Sequence, residues 1–193
     1  MRLVIAITGA SGVAYGIRAL EVLKKLQIET HLILSEWGEK NIEIETEKTP
    51  GYVRSLATRF YRDDDMAAPI SSGSFKTDGM AVIPCSMKTL ASVASAFDDS
   101  LVSRAAGVCL KERRKLVLVP RETPLSKIHL QNMTTLADAG AVILPAMPGF
   151  YHRPKTVQEM IDHVVGKVLD QFNIEHDLFK RWCGNIKEAN KDL

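Results

Sequence analysis

Long apolar runs are missing from this chain of 193 residues. The N-terminal run Leu3-Val4-Ile5-Ala6-Ile7 stops at Thr8-Gly9, too short for the apolar core of a signal peptide. Nothing approaches the ~20 apolar residues of a membrane helix, so the expectation is a cytoplasmic protein with no membrane partner. Cysteine is scarce: Cys85, Cys109 and Cys183 are odd in number and far apart, with no C-x-x-C and no Cys/His metal spacing. That excludes a disulfide framework and a zinc site and leaves free, partly buried thiols in a reducing compartment. Charge of one sign is also lacking, with 25 Lys and Arg against 23 Asp and Glu for a net charge of +2. A nucleic-acid binder carries a basic excess or stripe. The densest basic run here, Lys111 to Lys115, leads straight into an apolar strand, so no nucleic-acid partner is expected. The dinucleotide pattern G-x-G-x-x-G is absent, as is the triphosphate pattern G-x-x-x-x-G-K-[ST].

What remains is an ordinary globular balance, 46% hydrophobic and 25% charged residues, in a length that suits one domain. Short apolar runs alternate with helical periodicity. Strands are read at Leu3–Ile7, Thr30–Leu34, Met80–Ile83, Leu116–Val119 and Ala141–Leu144. Helices are read at Val13–Gln27, Glu36–Glu47, Ser86–Phe97, Leu125–Ala139 and Thr156–Phe172, with Arg104 and Lys111 on one face of a further helix. Residues 48–79 carry Pro50, Gly51, Asp63-Asp64-Asp65, Pro69 and a serine cluster, and are read as a short helix near Val53–Phe60 followed by a long loop. A tail that is polar apart from Leu178, Phe179 and Trp182 starts at about residue 173. Such alternation implies βαβ crossovers: one α/β domain over residues 1–193, a mostly parallel sheet with helices on both faces. In such sheets ligands sit beyond the carboxyl ends of the strands.

That rule selects five loops. Thr8-Gly9-Ala10-Ser11-Gly12 joins a strand to a helix start, where free N–H groups attract phosphate or Ser11 merely caps the helix. Pro84-Cys85-Ser86-Met87-Lys88-Thr89 has the same form. Cys85 reads as a small buried residue, because no His lies in a comparable loop to act as its base. Pro120-Arg121-Glu122-Thr123-Pro124 sets two charges at a strand end between prolines. Arg121 offers a planar fork for a phosphate or a flavin carbonyl, and Glu122 a general acid/base beside it; the alternative is a surface ion pair of the two. Ser35 follows the second strand. Pro148-Gly149-Phe150-Tyr151-His152-Arg153-Pro154 offers Tyr151 to a phosphate or simply as a core aromatic. Tyr151-x-x-x-Lys155 does not make a short-chain dehydrogenase, because Pro154 breaks the helix that motif needs.

Taken together these stretches resemble the UbiX-type flavin prenyltransferases, of the subgroup that accompanies UbiD-type hydroxyarylic acid decarboxylases. The resemblance runs from Leu3 to Trp182. It rests on Thr-Gly-Ala-Ser-Gly at 8–12, Ile-Ser-Ser-Gly-Ser-Phe at 70–75, Asp-Gly-Met at 78–80, Pro-Cys-Ser-Met-Lys-Thr-Leu at 84–90, the segment Leu110–Glu122, Ile-His-Leu-Gln-Asn-Met at 128–133 and Pro-Gly-Phe-Tyr at 148–151. It implies a Rossmann-like (flavodoxin-like) fold and the metal-independent transfer of a dimethylallyl group from dimethylallyl monophosphate to N5 and C6 of reduced FMN. The product, prenylated FMN, would serve a UbiD-type decarboxylase. By the same resemblance Gly9, Ala10, Ser11, Ser35, Ser86, Met87, Lys88, Thr89 and Arg121 hold FMN. Tyr151 and Lys167 hold the prenyl phosphate, with Arg104 and Lys111 adding cationic charge across a subunit boundary. Glu45 and Glu122 are the catalytic acids, and the assembly is a homododecamer. Some relatives have Arg at the place of Lys167, and many have Trp where Asp65 precedes Met66. Flavin-dependent cysteine decarboxylases need a His after the second helix, and none stands between His31 and His129. The competing reading is a non-catalytic flavin-carrying subunit of a decarboxylase.

Overall fold

The Leu3–Ile7 run is the centre of the sheet. The computed structural model describes residues 1–184; the last residues of the domain read as 1–193 lie outside them. In chain order the elements are β1 (Arg2–Ile7), α1 (Val13–Lys25), β2 (Glu29–Leu34), α2 (Glu36–Glu45), α3 (Pro50–Leu56), β3 (Arg59–Arg62), β4 (Gly79–Cys85), α4 (Met87–Ala94), α5 (Leu101–Lys111), β5 (Lys115–Pro120), α6 (Lys127–Asp138), β6 (Val142–Ile143) and α7 (Val157–Gln171). A single 3-10 turn covers Pro69–Ser71.

All strand pairs are parallel, in the order β3-β2-β1-β4-β5-β6. A strand in the middle of such a sheet is covered on both faces and must be apolar on both. β1 shows this by alternation: Leu3, Ile5 and Ile7 enter one core, Val4 and Ala6 the other. The first core is closed by Val13, Ile17, Leu20 and Leu23 of α1, Ile42 of α2, Val53 and Leu56 of α3, and Val164, Val165, Val168 and Leu169 of α7. The second is closed by Leu90 and Val93 of α4, Leu101, Val102, Ala105, Ala106 and Cys109 of α5, and Leu136 of α6. On the first face Arg18 Nε of α1 donates to Asp162 Oδ1 of α7 at 2.6 Å, pinning the two helices. From β1 the chain builds outward through β2 and β3, returns to β4 on the other side of β1, and continues to β6. The reversal lies between β1 and β4, which opens a crevice at their carboxyl ends.

Three readings of the sequence are corrected. The short helix near 53–60 is α3 at Pro50–Leu56, started by the Thr49 hydroxyl, which accepts from Tyr52 N–H at 3.1 Å. The chain after it first forms β3, an edge strand exposed at both ends, and the long loop then runs over residues 63–78, broken only by the 3-10 turn. The tail also buries Ile174, beyond its apolar exceptions, of which Leu178 packs on the first core. Helix ends also shorten, α2 stopping at Glu45 and α4 at Ala94. No helix among the described residues is long and apolar enough to cross a membrane.

Candidate active site

Five loops meet at the carboxyl edge of the sheet, and backbone and side-chain hydrogen bonds stitch them together. Thr8, buried at the end of β1, donates its hydroxyl to the Pro84 carbonyl at 2.9 Å and accepts the Ser86 N–H at 2.8 Å. Arg121 N–H donates to the Cys85 carbonyl at 3.4 Å, and its Nε to the Ser11 carbonyl at 3.1 Å. Ala146 N–H donates to the Pro120 carbonyl at 3.1 Å. Ser35 N–H donates to the Ile7 carbonyl at 3.1 Å, and Asn41 Nδ2 of α2 to the Ala10 carbonyl at 3.3 Å. Two glycines make the first loop feasible. A Cβ on Gly9 would lie 2.5 Å from Trp37 Cβ, and Gly12 sits at φ +100°, a conformation that side chains resist.

The N-termini of α1, α2 and α4 all open on this edge. Ser35 caps α2 by accepting Gly38 N–H at 3.0 Å, and Ser86 caps α4 by accepting Thr89 N–H at 3.2 Å. α1 has no side-chain cap of its own. Its first N–H groups are instead met from another helix: Glu45 Oε2 accepts from Gly12 at 2.8 Å and from Val13 at 3.2 Å. The side-chain carboxylate thus serves as the cap of α1, a negative group where the helix dipole favours one. Gly9 and Ser11 are exposed and Ala10 is buried; Met87 is half-buried, Lys88 exposed and Thr89 buried. Lys88 pairs with Asp99 at 3.0 Å.

Glu122 leaves β5 into solvent, and among the described residues its Oε1 accepts only the Thr123 N–H, at 3.2 Å. Among the described residues no ion pair joins it to Arg121, so the surface-pair alternative is not what the structure adopts. Tyr15, on the first turns of α1, has its phenol pushed up by burial, with Arg121 opposing. Burial pushes the Cys85 thiol up to about 12, so it stays protonated at neutral pH and offers no thiolate.

The donor-side residues divide. Tyr151 packs edge-on against His163 of α7 at 5.6 Å, and Lys167 lies one turn after His163 on the same helix face, paired with Asp170 at 3.5 Å. The fold therefore brings Tyr151 and Lys167 to one neighbourhood. Arg104 and Lys111 are not brought there within one chain. Arg104 is held by Asp98 at 3.1 Å and by the Ser71 carbonyl at 2.9 Å. Lys111 ends α5 four residues before β5 begins, at the opposite edge of the sheet, and pairs with Glu112 at 2.7 Å. Among the described residues no group of three or more His, Cys, Asp or Glu side chains is placed to hold a metal.

Sequence reading missed Asn41, Tyr15 and His163. Asn41 had a usable signal, since it stands one helical turn before Glu45 on the same face. Tyr15 and His163 had none, because their spacing is that of ordinary core-facing positions.

The sequence pattern of the Flavoprotein family matches residues 1–176. Flavin prenyltransferase PAD1, mitochondrial, of Saccharomyces cerevisiae is 54% identical over 183 residues, 95% of this chain and 76% of its own length. The crystal structure of AnUbiX (PadA1) in complex with FMN and dimethylallyl pyrophosphate superimposes with a TM-score of 0.94 at 53% identity, covering 95% of this chain and 98% of that one. A dodecameric FMN-dependent UbiX-like decarboxylase from Escherichia coli O157:H7 gives the same TM-score at 51% identity, covering 95% and 100%. Fold, loops and relatives agree: the chain belongs to the flavoprotein family, as a flavin prenyltransferase of the UbiX type.

Proposed function

We propose that this chain transfers the dimethylallyl group of dimethylallyl monophosphate to reduced FMN, at N5 and then C6, using the stitched loops at the carboxyl edge of the sheet. The allyl carbon–oxygen bond breaks and phosphate leaves. N5 bonds to C1 of the five-carbon unit and gives up its proton; a proton then adds to C2 of the prenyl double bond, C6 bonds to the resulting C3 cation, and the C6 proton is released. In this reading Gly9, Ala10, Ser11, Ser35 and Ser86 to Thr89 hold FMN, and Arg121 meets its anionic or carbonyl oxygens. Tyr151 and Lys167 take the prenyl phosphate. Glu122 moves the proton, and Glu45 orients the departing phosphate from the α1 N-terminus. Arg104 and Lys111 reach a site only on a neighbouring subunit, which fits a homododecamer. The product goes to a UbiD-type decarboxylase. The three free cysteines suit a reducing compartment such as the cytoplasm, and the whole chain acts as one flavin-handling domain.

The observation that carries this reading is Glu122, a carboxylate with no ion-pair partner among the described residues, beside an Arg121 already committed to a neighbouring loop. A storage protein has no use for a free acid there. The test is anaerobic incubation with reduced FMN and dimethylallyl monophosphate, read by mass. Addition of one five-carbon unit to FMN is expected. FMN recovered unaltered with this donor, and likewise with the pyrophosphate, would leave the protein a carrier.

A further inference from the structure

We infer that His163 is a positioning residue for the donor half of the reaction, its neutral ring holding the Pro148–Tyr151 turn so that the Tyr151 hydroxyl is in place for the prenyl phosphate. His163 is 6% exposed, and its Nδ1 accepts the Gly149 N–H at 3.2 Å. That bond places the ring proton on Nε2 and requires the neutral ring, since an imidazolium would face N–H against N–H. The ring cannot rotate away. His152 stacks on it at 5.0 Å with 5° between the planes, Phe179 lies 4.7 Å off, and Tyr151 meets it edge-on. The turn is fitted closely around it. A Cβ on Gly149 would lie 3.3 Å from His163 Nε2 and 3.2 Å from Tyr151 Cε1.

A packing role alone does not account for an imidazole here. Among the described residues His163 Nε2 is buried without a hydrogen-bond partner, an arrangement that costs stability and that Phe or Leu would avoid. What the imidazole supplies and those residues lack is the acceptor for Gly149. Burial, then the neighbouring His152 and Lys167, holds the His163 pKa below its ordinary value, which keeps that acceptor available at neutral pH. The inference rests on the reading of Tyr151 as a phosphate ligand.

The test compares initial rates of the full chain with those of His163→Gln, His163→Asn, His163→Phe and Tyr151→Phe, with reduced FMN and dimethylallyl monophosphate. The Asn amide oxygen reaches the place of Nδ1 and accepts from Gly149, whereas the Gln amide reaches past it. Gln and Phe are expected to raise the KM for dimethylallyl monophosphate about tenfold, the weight of one lost hydrogen bond. kcat at saturating donor and FMN affinity should stay close to wild type, as befits binding lost on one side only. Asn is expected to restore most of the donor affinity. Equal KM in the Gln and Asn variants, or no rise in any His163 variant, overturns the inference. If Phe fails to fold, the Gln and Asn pair still decides. An unchanged KM in Tyr151→Phe would instead overturn the reading of Tyr151. A raised KM there with normal His163 variants would sink the His163 inference alone.

Discussion

The Thr8 hydroxyl makes two hydrogen bonds across 76 and 78 residues of sequence, to the Pro84 carbonyl and from the Ser86 N–H. Thr8→Val keeps the shape and removes both. The Pro84 carbonyl still receives the Thr8 N–H, so the main loss is an N–H left without its partner at the start of α4, about 1–3 kcal/mol in urea unfolding. FMN affinity should fall with it, because Ser86 to Thr89 sit on the loop released. A second residue-scale expectation concerns Glu122→Gln. The fold should be unaffected, since the side chain is exposed and among the described residues hydrogen-bonds only with the Thr123 N–H. Prenyl-FMN formation should slow by roughly 10²–10⁴, the span of general acid–base catalysis, while FMN still binds. Turnover near wild type would remove Glu122 from the chemistry and leave Glu45. At this scale the loops themselves were legible in the sequence, because strand ends in a parallel sheet are where glycine, serine and paired charges have a use. Their stitching was not, since Asn41 to Ala10 or Arg121 to Ser11 are contacts between segments that no spacing rule connects.

Among the elements, α7 does two things the sequence did not suggest. Its Asp162 ties it to α1, and its Asp170 gathers the C-terminal segment: Arg181 donates to that carboxylate at 2.7 and 3.1 Å, and His176 lies at 3.2 Å. The Arg181 hydrogen bond holds the Asp170 pKa below the ordinary carboxylate value. A carboxyl group whose pKa is lower folded than unfolded stabilises fully above its unfolded value, about 3.9, and loses that stabilisation as pH falls through the folded value. The segment bearing Trp182 should therefore loosen from α7 only in acid, below about pH 4. In a Trp37→Phe background, Trp182 emission should shift there, and Asp170→Asn should show the shifted emission already at neutral pH. An acid profile unaltered by Asp170→Asn would place the anchor elsewhere. Elements with continuous apolar runs, such as β1 and β5, were legible. β3 was not, because Arg59-Phe60-Tyr61-Arg62 is short, charged at both ends and only half covered, so it shows neither the continuous nor the alternating pattern of a strand.

At the scale of the molecule, Arg104 and Lys111 stand outside the site that one chain forms, and the proposed assembly is what would give them a role there. Sedimentation should find a twelve-chain particle, and a monomer that turns over at full rate would deny them that role. The way such a particle is built follows from the two ends of the sheet. β3 offers four residues and β6 two, and β3 is guarded. Arg62 is paired with Asp64 at 2.8 Å, and the Arg54 guanidinium lies 4.5 Å over the Phe60 ring. A rim as short as β6, or one fringed with arginine like β3, is a poor template for a second sheet. In the proposed assembly neighbours would then be recruited through helix flanks and loop tips, so that growth would close into a finite shell instead of running on as a ribbon. Replacing Arg59 and Arg62 with Val should leave the twelve-chain particle intact yet add a sedimenting, thioflavin-positive fraction, the open-ended product that those two charges hold off.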